Sequence, residues 1–110
     1  MLGWSILIFR QIDGRSNPAT AKSHSGPQLA TWLSGVDGTN WIDNLVEDGN
    51  AIYISGNGYP SLFTATAEYL IPNIKLRPFE KHILKPKIDE VAIAECQPNE
   101  WLLVEVWDES

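Results

Sequence analysis

Cysteine, long apolar runs and basic leader residues are scarce in this chain of 110 residues. Cys96 is the single cysteine, so no disulfide can form within the chain and a reducing compartment is the expected setting. The apolar stretches fall well short of the roughly 20 residues that a membrane-spanning helix needs. Residues 1–9 contain no basic segment and no cleavage site of the A-x-A type, so we expect no secretory signal. These absences predict a cytoplasmic protein that has no membrane partner.

The residue types that enzymes and metal sites require are not grouped either. His24 and His82 stand apart from each other and from Cys96, and no H-x-x-x-H or C-x-x-C spacing occurs. The S-G-N-G turn at residues 55–58 lacks the G-K-[ST] ending of a phosphate-binding loop. Cys96 follows Glu95 in an acidic stretch, which favours a raised thiol pKa and the role of a small buried hydrophobic side chain. We therefore predict no catalytic residue, no metal, no cofactor and no enzymatic activity.

Charge is unevenly distributed along the chain, whose formal net charge is −6. Residues 1–74 carry 3 basic and 6 acidic side chains, residues 75–87 carry 5 basic and 1 acidic, and residues 88–110 carry 7 acidic and none basic. One interpretation is a solvated surface on which the cationic segment 75–87 partly neutralises the acidic C-terminal quarter 88–110. The other is an anionic surface that binds a cationic partner and accelerates its association. The negative total argues against nucleic acid as the partner, because phosphate neutralisation drives such binding.

Hydrophobic spacing and turn residues predict one α+β domain over residues 1–110. Strands are expected at residues 4–9, 51–54, 91–94 and 102–107. Helices are expected at residues 27–34, 39–49 and 62–71, the last stopped or kinked by Pro72, with a loop at 13–27 and an extended connection at 75–87. The predicted fold is a small three- to four-stranded, mainly antiparallel sheet with two to three helices packed on one face. We expect the two terminal strands to be neighbours in this sheet.

Tryptophan is abundant, with five in 110 residues. Three of them are predicted to fill the core: Trp4, Trp32 and Trp41. Trp101 and Trp107 lie six residues apart on the last predicted strand, so they share a face with Leu103 and Glu105. This face is either the buried side of a strand or an interface with an apolar centre and an acidic rim.

A family resemblance is carried by residues 39–74. The segment W-I-D-N-L at residues 41–45 is followed by G-N-G-Y-P at 56–60, F-T-A-T-A at 63–67 and L-I-P at 70–72. This pattern resembles that of small bacterial immunity proteins, the antidotes of polymorphic or contact-dependent growth-inhibition toxins. The resemblance implies a protein that binds its toxin tightly in the cytosol and covers the active site or another surface that the toxin needs. A nuclease toxin has a basic substrate cleft, which an acidic antidote would complement.

The leading hypothesis is an immunity protein that neutralises a cognate toxin domain, plausibly a nuclease with a basic surface, in a stoichiometric complex. Partner-binding residues are predicted in the acidic C-terminal quarter, with two tryptophan anchors, and as a second choice in the second predicted helix. They are Asp89, Glu90, Glu95, Glu100, Trp101, Glu105, Trp107, Asp108 and Glu109, followed by Asp43, Glu47 and Asp48.

Two alternatives stay open at this point. The first is a phage- or mobile-element-encoded inhibitor or adaptor that binds a host protein. The second is a small enzyme or ligand-binding domain that uses the G-N-G-Y-P turn as a pocket wall, with Tyr53, Tyr59 and His82 as its lining.

Overall fold

The computed structural model describes residues 3–11, 26–77, 80 and 83–109. This part of the chain contains six strands and three short helices. In chain order they are β1 (Trp4–Arg10), β2 (Gln28–Ser34), α1 (Asn40–Glu47), β3 (Ile52–Ser55), β4 (Ser61–Thr66), α2 (Ala67–Leu76), β5 (Leu84–Ile88), α3 (Glu90–Ala94) and β6 (Trp101–Asp108).

The strands form a single antiparallel sheet of six strands, in the order β3-β4-β6-β1-β2-β5. The first and last strands lie side by side near its centre, with Trp4 opposite Asp108 and Arg10 opposite Leu102. The predicted pairing of the terminal strands is therefore confirmed. Strand β6 has β1 on one side and β4 on the other, so it joins the two parts of the sheet.

One face of the sheet carries the hydrophobic core, and all three helices contribute to it. Strand residues on this face lie opposite one another in rows, such as Ile6 with Trp32 and Ile8 with Val104. The buried helix residues that pack on these rows are Trp41 and Ile42 of α1, Ala67, Leu70 and Ile74 of α2, and Ala92 and Ile93 of α3. Trp32 and Trp41 are buried in this core, and Trp4 is partly buried against it, as predicted for the three tryptophans.

The predicted three- to four-stranded sheet is wrong, because the sheet has six strands. The first cause is the segment 27–34, which was predicted to be helical and forms β2. Leu29, Trp32 and Leu33 have helical spacing, but the buried residues Ala30, Trp32 and Ser34 also alternate with period two. Pairing along β1 satisfies the backbone of the segment, and this long-range contact overrides its local pattern.

The second cause lies in the segments that follow the G-N-G-Y-P turn. Residues 62–71 were predicted to be one helix, but the chain is extended to the end of β4 and becomes helical only at Ala67. Pro72 lies inside α2 and does not end it. The predicted extended connection at 75–87 contains the end of α2 and the edge strand β5. The predicted loop at 13–27 lies outside the described residues, except for residues 26 and 27.

Residues 91–94 were predicted to be a strand and belong to α3. The side chain of Asp89 causes this difference, because its Oδ1 accepts a hydrogen bond from the backbone N–H of Ala92 at 3.0 Å. Such an N-cap stabilises the first turn of a helix and overrides the strand propensity of Val91 and Ile93.

The turn after β3 has the predicted backbone. Gly56 and Gly58 have φ angles of +101° and +106°, which glycine adopts far more readily than other residues. The carbonyl oxygen of Gly58 accepts a hydrogen bond from the backbone N–H of Asp108 at 2.7 Å. The turn is therefore attached to the C-terminal end of β6.

Candidate functional site

Glu100, a predicted partner-binding residue, lies inside the protein and holds an ion pair with Arg10. Only 5% of Glu100 is exposed. Arg10 Nε donates to Glu100 Oε2 at 2.7 Å, and Arg10 Nη2 donates to Glu100 Oε1 at 2.9 Å. Arg10 Nη1 also donates to Glu95 Oε2 at 3.4 Å. The hydrogen bond with Glu100 is the main reason why the pKa of the Arg10 guanidinium is raised. The charge of Glu100 thus has an internal partner.

Glu105 and Trp107 lie on the face of the sheet opposite the helices. Glu105 is 2% exposed, and its Oε1 accepts a hydrogen bond from Trp107 Nε1 at 3.0 Å. Trp107 is 38% exposed, whereas Leu103 on the same face is fully buried. Trp101 is partly buried and lies six residues from Trp107 along the strand, which places their backbones about 20 Å apart. The two predicted anchors share a face but do not form one cluster.

The remaining acidic residues of the C-terminal quarter lie in two separate places, at the end of β6 and at the start of α3. Asp108 and Glu109 are at its C-terminal end, where the N–H of Glu109 donates to the carbonyl oxygen of Gly3 at 3.0 Å. Asp89 and Glu90 are exposed at the start of α3, next to β2. The structure therefore does not bring the predicted C-terminal residues together in a single patch.

Helix α1 brings the second-choice residues together. Asp43, Glu47 and Asp48 are exposed; Asp43 and Glu47 are four residues apart and share one side of α1, and Asp48 is its C-cap. The opposite side of the helix carries the buried residues Trp41 and Ile42. No ion pair connects the three carboxylates to any basic residue in the described part of the chain. Their full negative charge faces solvent.

A pocket of about 360 Å³ lies between the end of β2, the start of α1 and the end of α2. Its buried lining residues are Trp32, Ser34 and Trp41, which form the floor. Its exposed lining residues are Val36, Asp37, Asn40 and Glu80, which form the mouth. Arg77 lies between the two groups, and its Nη1 contacts Glu80 Oε1 at 2.9 Å. The volume is within the range of pockets that hold small molecules.

The pocket is also where hydrogen bonds are missing. Four buried side-chain nitrogens have no hydrogen-bond partner in the described part of the chain, and three of them belong to lining residues: Trp32 Nε1, Trp41 Nε1 and Arg77 Nε. The side chain of Thr39, the N-cap of α1, makes no capping hydrogen bond. A buried donor without an acceptor costs about 1–3 kcal/mol, so this concentration of unpaired donors is energetically unfavourable.

This pocket was not predicted from the sequence. Of the residues predicted to line a pocket at the G-N-G-Y-P turn, Tyr53 and Tyr59 are exposed. His82 lies outside the described residues. The sequence signal that indicates the observed pocket is the loop at residues 35–38, which leads from a strand into a helix N-terminus, a common site for ligands with hydrogen-bond acceptors.

The environment of Cys96 agrees with the prediction of a thiol with raised pKa. Burial is the main cause of this raised pKa, and the negative charge of Glu100 is the next. The thiol Sγ lies 3.5 Å from the carbonyl oxygen of Ala92, to which it donates. No group of three or more His, Cys, Asp or Glu side chains among the described residues could hold a metal ion.

Two observations remain, one on the helices and one on similarity to known proteins. Within the residues that the structure describes, no helix combines the length and the apolar character required to cross a membrane. No protein-family model, curated protein or solved structure matches the chain.

Proposed function

We propose that this protein acts by binding another protein, as an immunity protein that neutralises a toxin domain with a basic surface. The observation that carries the proposal is the exposed surface of α1 and its C-cap, where Asp43, Glu47 and Asp48 present carboxylates that form no ion pair within the described part of the chain. A basic partner would gain electrostatic attraction from these groups without first breaking an ion pair within this chain.

The rigid support of α1 favours the same proposal. Trp41 and Ile42 fix the helix on the sheet through the hydrophobic core, so the carboxylates are presented in a defined arrangement. A binding surface that is already ordered loses less conformational entropy when the complex forms. The net charge of −6 adds a long-range attraction that raises the association rate with a cationic partner.

The positions of the other predicted residues narrow the proposed interface. Glu100 and Glu105 are buried, so their carboxylates act within the fold. Asp108 and Glu109 at the end of β6, and Asp89 and Glu90 at α3, remain candidates for a partner that covers more than one side. The resemblance of residues 39–74 to immunity proteins includes α1, and this supports the choice of α1 as the first contact.

The first experiment is to identify the gene immediately upstream and to coexpress the C-terminal domain of its product with this chain. We expect growth to be restored, and we expect a one-to-one complex in size-exclusion chromatography with light scattering. Failure of both rescue and complex formation would reject the proposed function. Capture of an unrelated host protein would instead favour the inhibitor or adaptor alternative.

The second experiment compares two variants with the same change in net charge. Glu47→Lys alters the α1 surface, whereas Glu68→Lys alters an exposed glutamate of α2. We expect Glu47→Lys to slow association with the toxin domain roughly threefold to tenfold at low salt in stopped-flow measurements, and Glu68→Lys to slow it less. Equal rates for the two variants would show that net charge acts without a specific contact at α1.

A further inference from the structure

We propose that the pocket between β2, α1 and α2 binds a small, uncharged, planar molecule that carries a ring carbonyl next to a ring N–H, as in lactams, cyclic imides and pyrimidinones. This proposal is independent of the proposed toxin binding. It joins three observations at one place: a cavity of about 360 Å³, aromatic walls, and buried donors without acceptors.

The aromatic floor favours a flat ligand. The rings of Trp32 and Trp41 have centroids 6.2 Å apart and are inclined at 41°, so the floor consists of two non-parallel rings. These residues are 1% and 7% exposed, and the core fixes their positions. Aromatic rings bind the faces and edges of other planar rings, which gives a flat molecule more contact than a branched aliphatic one.

The unpaired donors favour carbonyl oxygens on that ligand. Trp32 Nε1, Trp41 Nε1 and Arg77 Nε all lack acceptors, and indole nitrogens can only donate. Both indole nitrogens are shielded from solvent although their residues line the cavity, so a ligand must displace neighbouring side chains to reach them. The ligand would give these donors the acceptors that the protein itself does not provide.

The charges at the mouth favour an uncharged ligand over an anion. The positive charge of Arg77 is already paired with Glu80, and Asp37 adds a second carboxylate to the lining. A phosphate or carboxylate ligand would therefore meet a net negative mouth. The same carboxylates, with Ser34 Oγ, can accept hydrogen bonds from a ring N–H. The C=O group of such a molecule can accept from the unpaired nitrogens, and its N–H group can donate to a carboxylate or to Ser34 Oγ.

The experiment follows the indole N–H signals of the five tryptophans by NMR of ¹⁵N-labelled full-length protein. The probes are uracil, 2-pyridone and glutarimide, with benzoate and inorganic phosphate as anionic comparisons, all at millimolar concentrations. We expect the uncharged probes to shift the signals of Trp32 and Trp41 in a saturable way. The signal of Trp107 should stay unchanged, because its indole already donates to Glu105 on the other face of the sheet.

Two variants separate a hydrogen bond from simple ring packing. Trp41→Phe keeps an aromatic ring and removes the N–H, so we expect affinity for the best uncharged probe to fall roughly threefold to tenfold. Trp107→Phe is the matched control and should bind as the unaltered protein does. Because the smaller ring leaves a cavity in the core, Trp41→Phe should lower the thermal midpoint but keep the fold, which circular dichroism checks.

Three results would overturn the proposal. The first is that no uncharged probe shifts the Trp32 and Trp41 signals. The second is that benzoate or phosphate binds more tightly than every uncharged probe. The third is that Trp41→Phe binds as tightly as the unaltered protein.

Discussion

The buried ion pair of Arg10 and Glu100 should contribute far more to stability than an ion pair of similar length on the surface. Glu100→Ala leaves Arg10 with Glu95 at 3.4 Å and with partial access to water. We therefore expect a loss at the lower end of the range for broken buried pairs, about 3 kcal/mol in the free energy of unfolding. For a chain of this length the thermal midpoint should fall by about 12 °C.

The reverse substitution should cost more than Glu100→Ala. Arg10→Ala leaves the Glu100 carboxylate, whose side chain is 4% exposed, without its cation, and we expect a loss of about 4 kcal/mol at neutral pH.

Urea unfolding with a matched surface pair provides the assay. Arg77 and Glu80 are joined at 2.9 Å, but their side chains are 27% and 51% exposed, so Glu80→Ala should cost about 0.5 kcal/mol or less. The double variant Arg10→Met with Glu100→Met should lie within about 1 kcal/mol of the unaltered protein, because it removes both charges from the interior. The reasoning is refuted if Glu100→Ala or Arg10→Ala costs no more than Glu80→Ala.

Two further predictions concern the β3–β4 turn and the thiol. Gly58→Ala should lower the free energy of unfolding by about 2 kcal/mol, because φ is +106° and the added Cβ would lie 3.2 Å from Asp108 Cβ. Gly49→Ala, where φ is +79° and no atom lies within 4 Å of the added Cβ, should cost only about 1 kcal/mol, and equal losses in urea unfolding would contradict this account. Because the pKa of Cys96 is raised in the folded state, its contribution to stability is present below the unfolded pKa of about 8.5 and is lost as the pH rises through the folded value. Stability should therefore fall less steeply in alkaline buffer for Cys96→Ala than for the unaltered protein, and parallel curves would contradict the raised pKa.

Local chemistry was sufficient to predict several elements. The apolar, β-prone runs of β1 and β6 predicted both strands, and Thr39 and Gly49 mark the limits of α1. The two glycines of the S-G-N-G turn predicted its positive φ angles. These features depend on residues within one element or one turn, so the sequence alone is informative about them.

The strand count depended on contacts between distant residues. The segment 28–34 carries both a helical spacing and a period-two pattern of buried residues, and only pairing with neighbouring strands decides between the two. The helix α3 depends on a single side chain, Asp89, whose capping hydrogen bond opposes the strand propensity of its neighbours.

The candidate sites also depend on contacts between residues that are distant in the sequence. Charge counting placed Glu100 and Glu105 on a surface, but it could not show that one holds Arg10 and the other lies under Trp107. The three unpaired nitrogens of the pocket come from β2, α1 and the end of α2, and their proximity follows only from the tertiary fold.

The central position of β6 has a consequence for synthesis on the ribosome. Until residues 101–108 have emerged, the nascent chain can pair β1 with β2, β2 with β5 and β3 with β4, but no strand connects β1 to β4. The core between them needs contacts across almost the whole length of the chain, and topologies with such distant contacts fold slowly. We therefore expect the α1 carboxylates and the tryptophan pocket to acquire their final arrangement only after residues 101–108 have emerged.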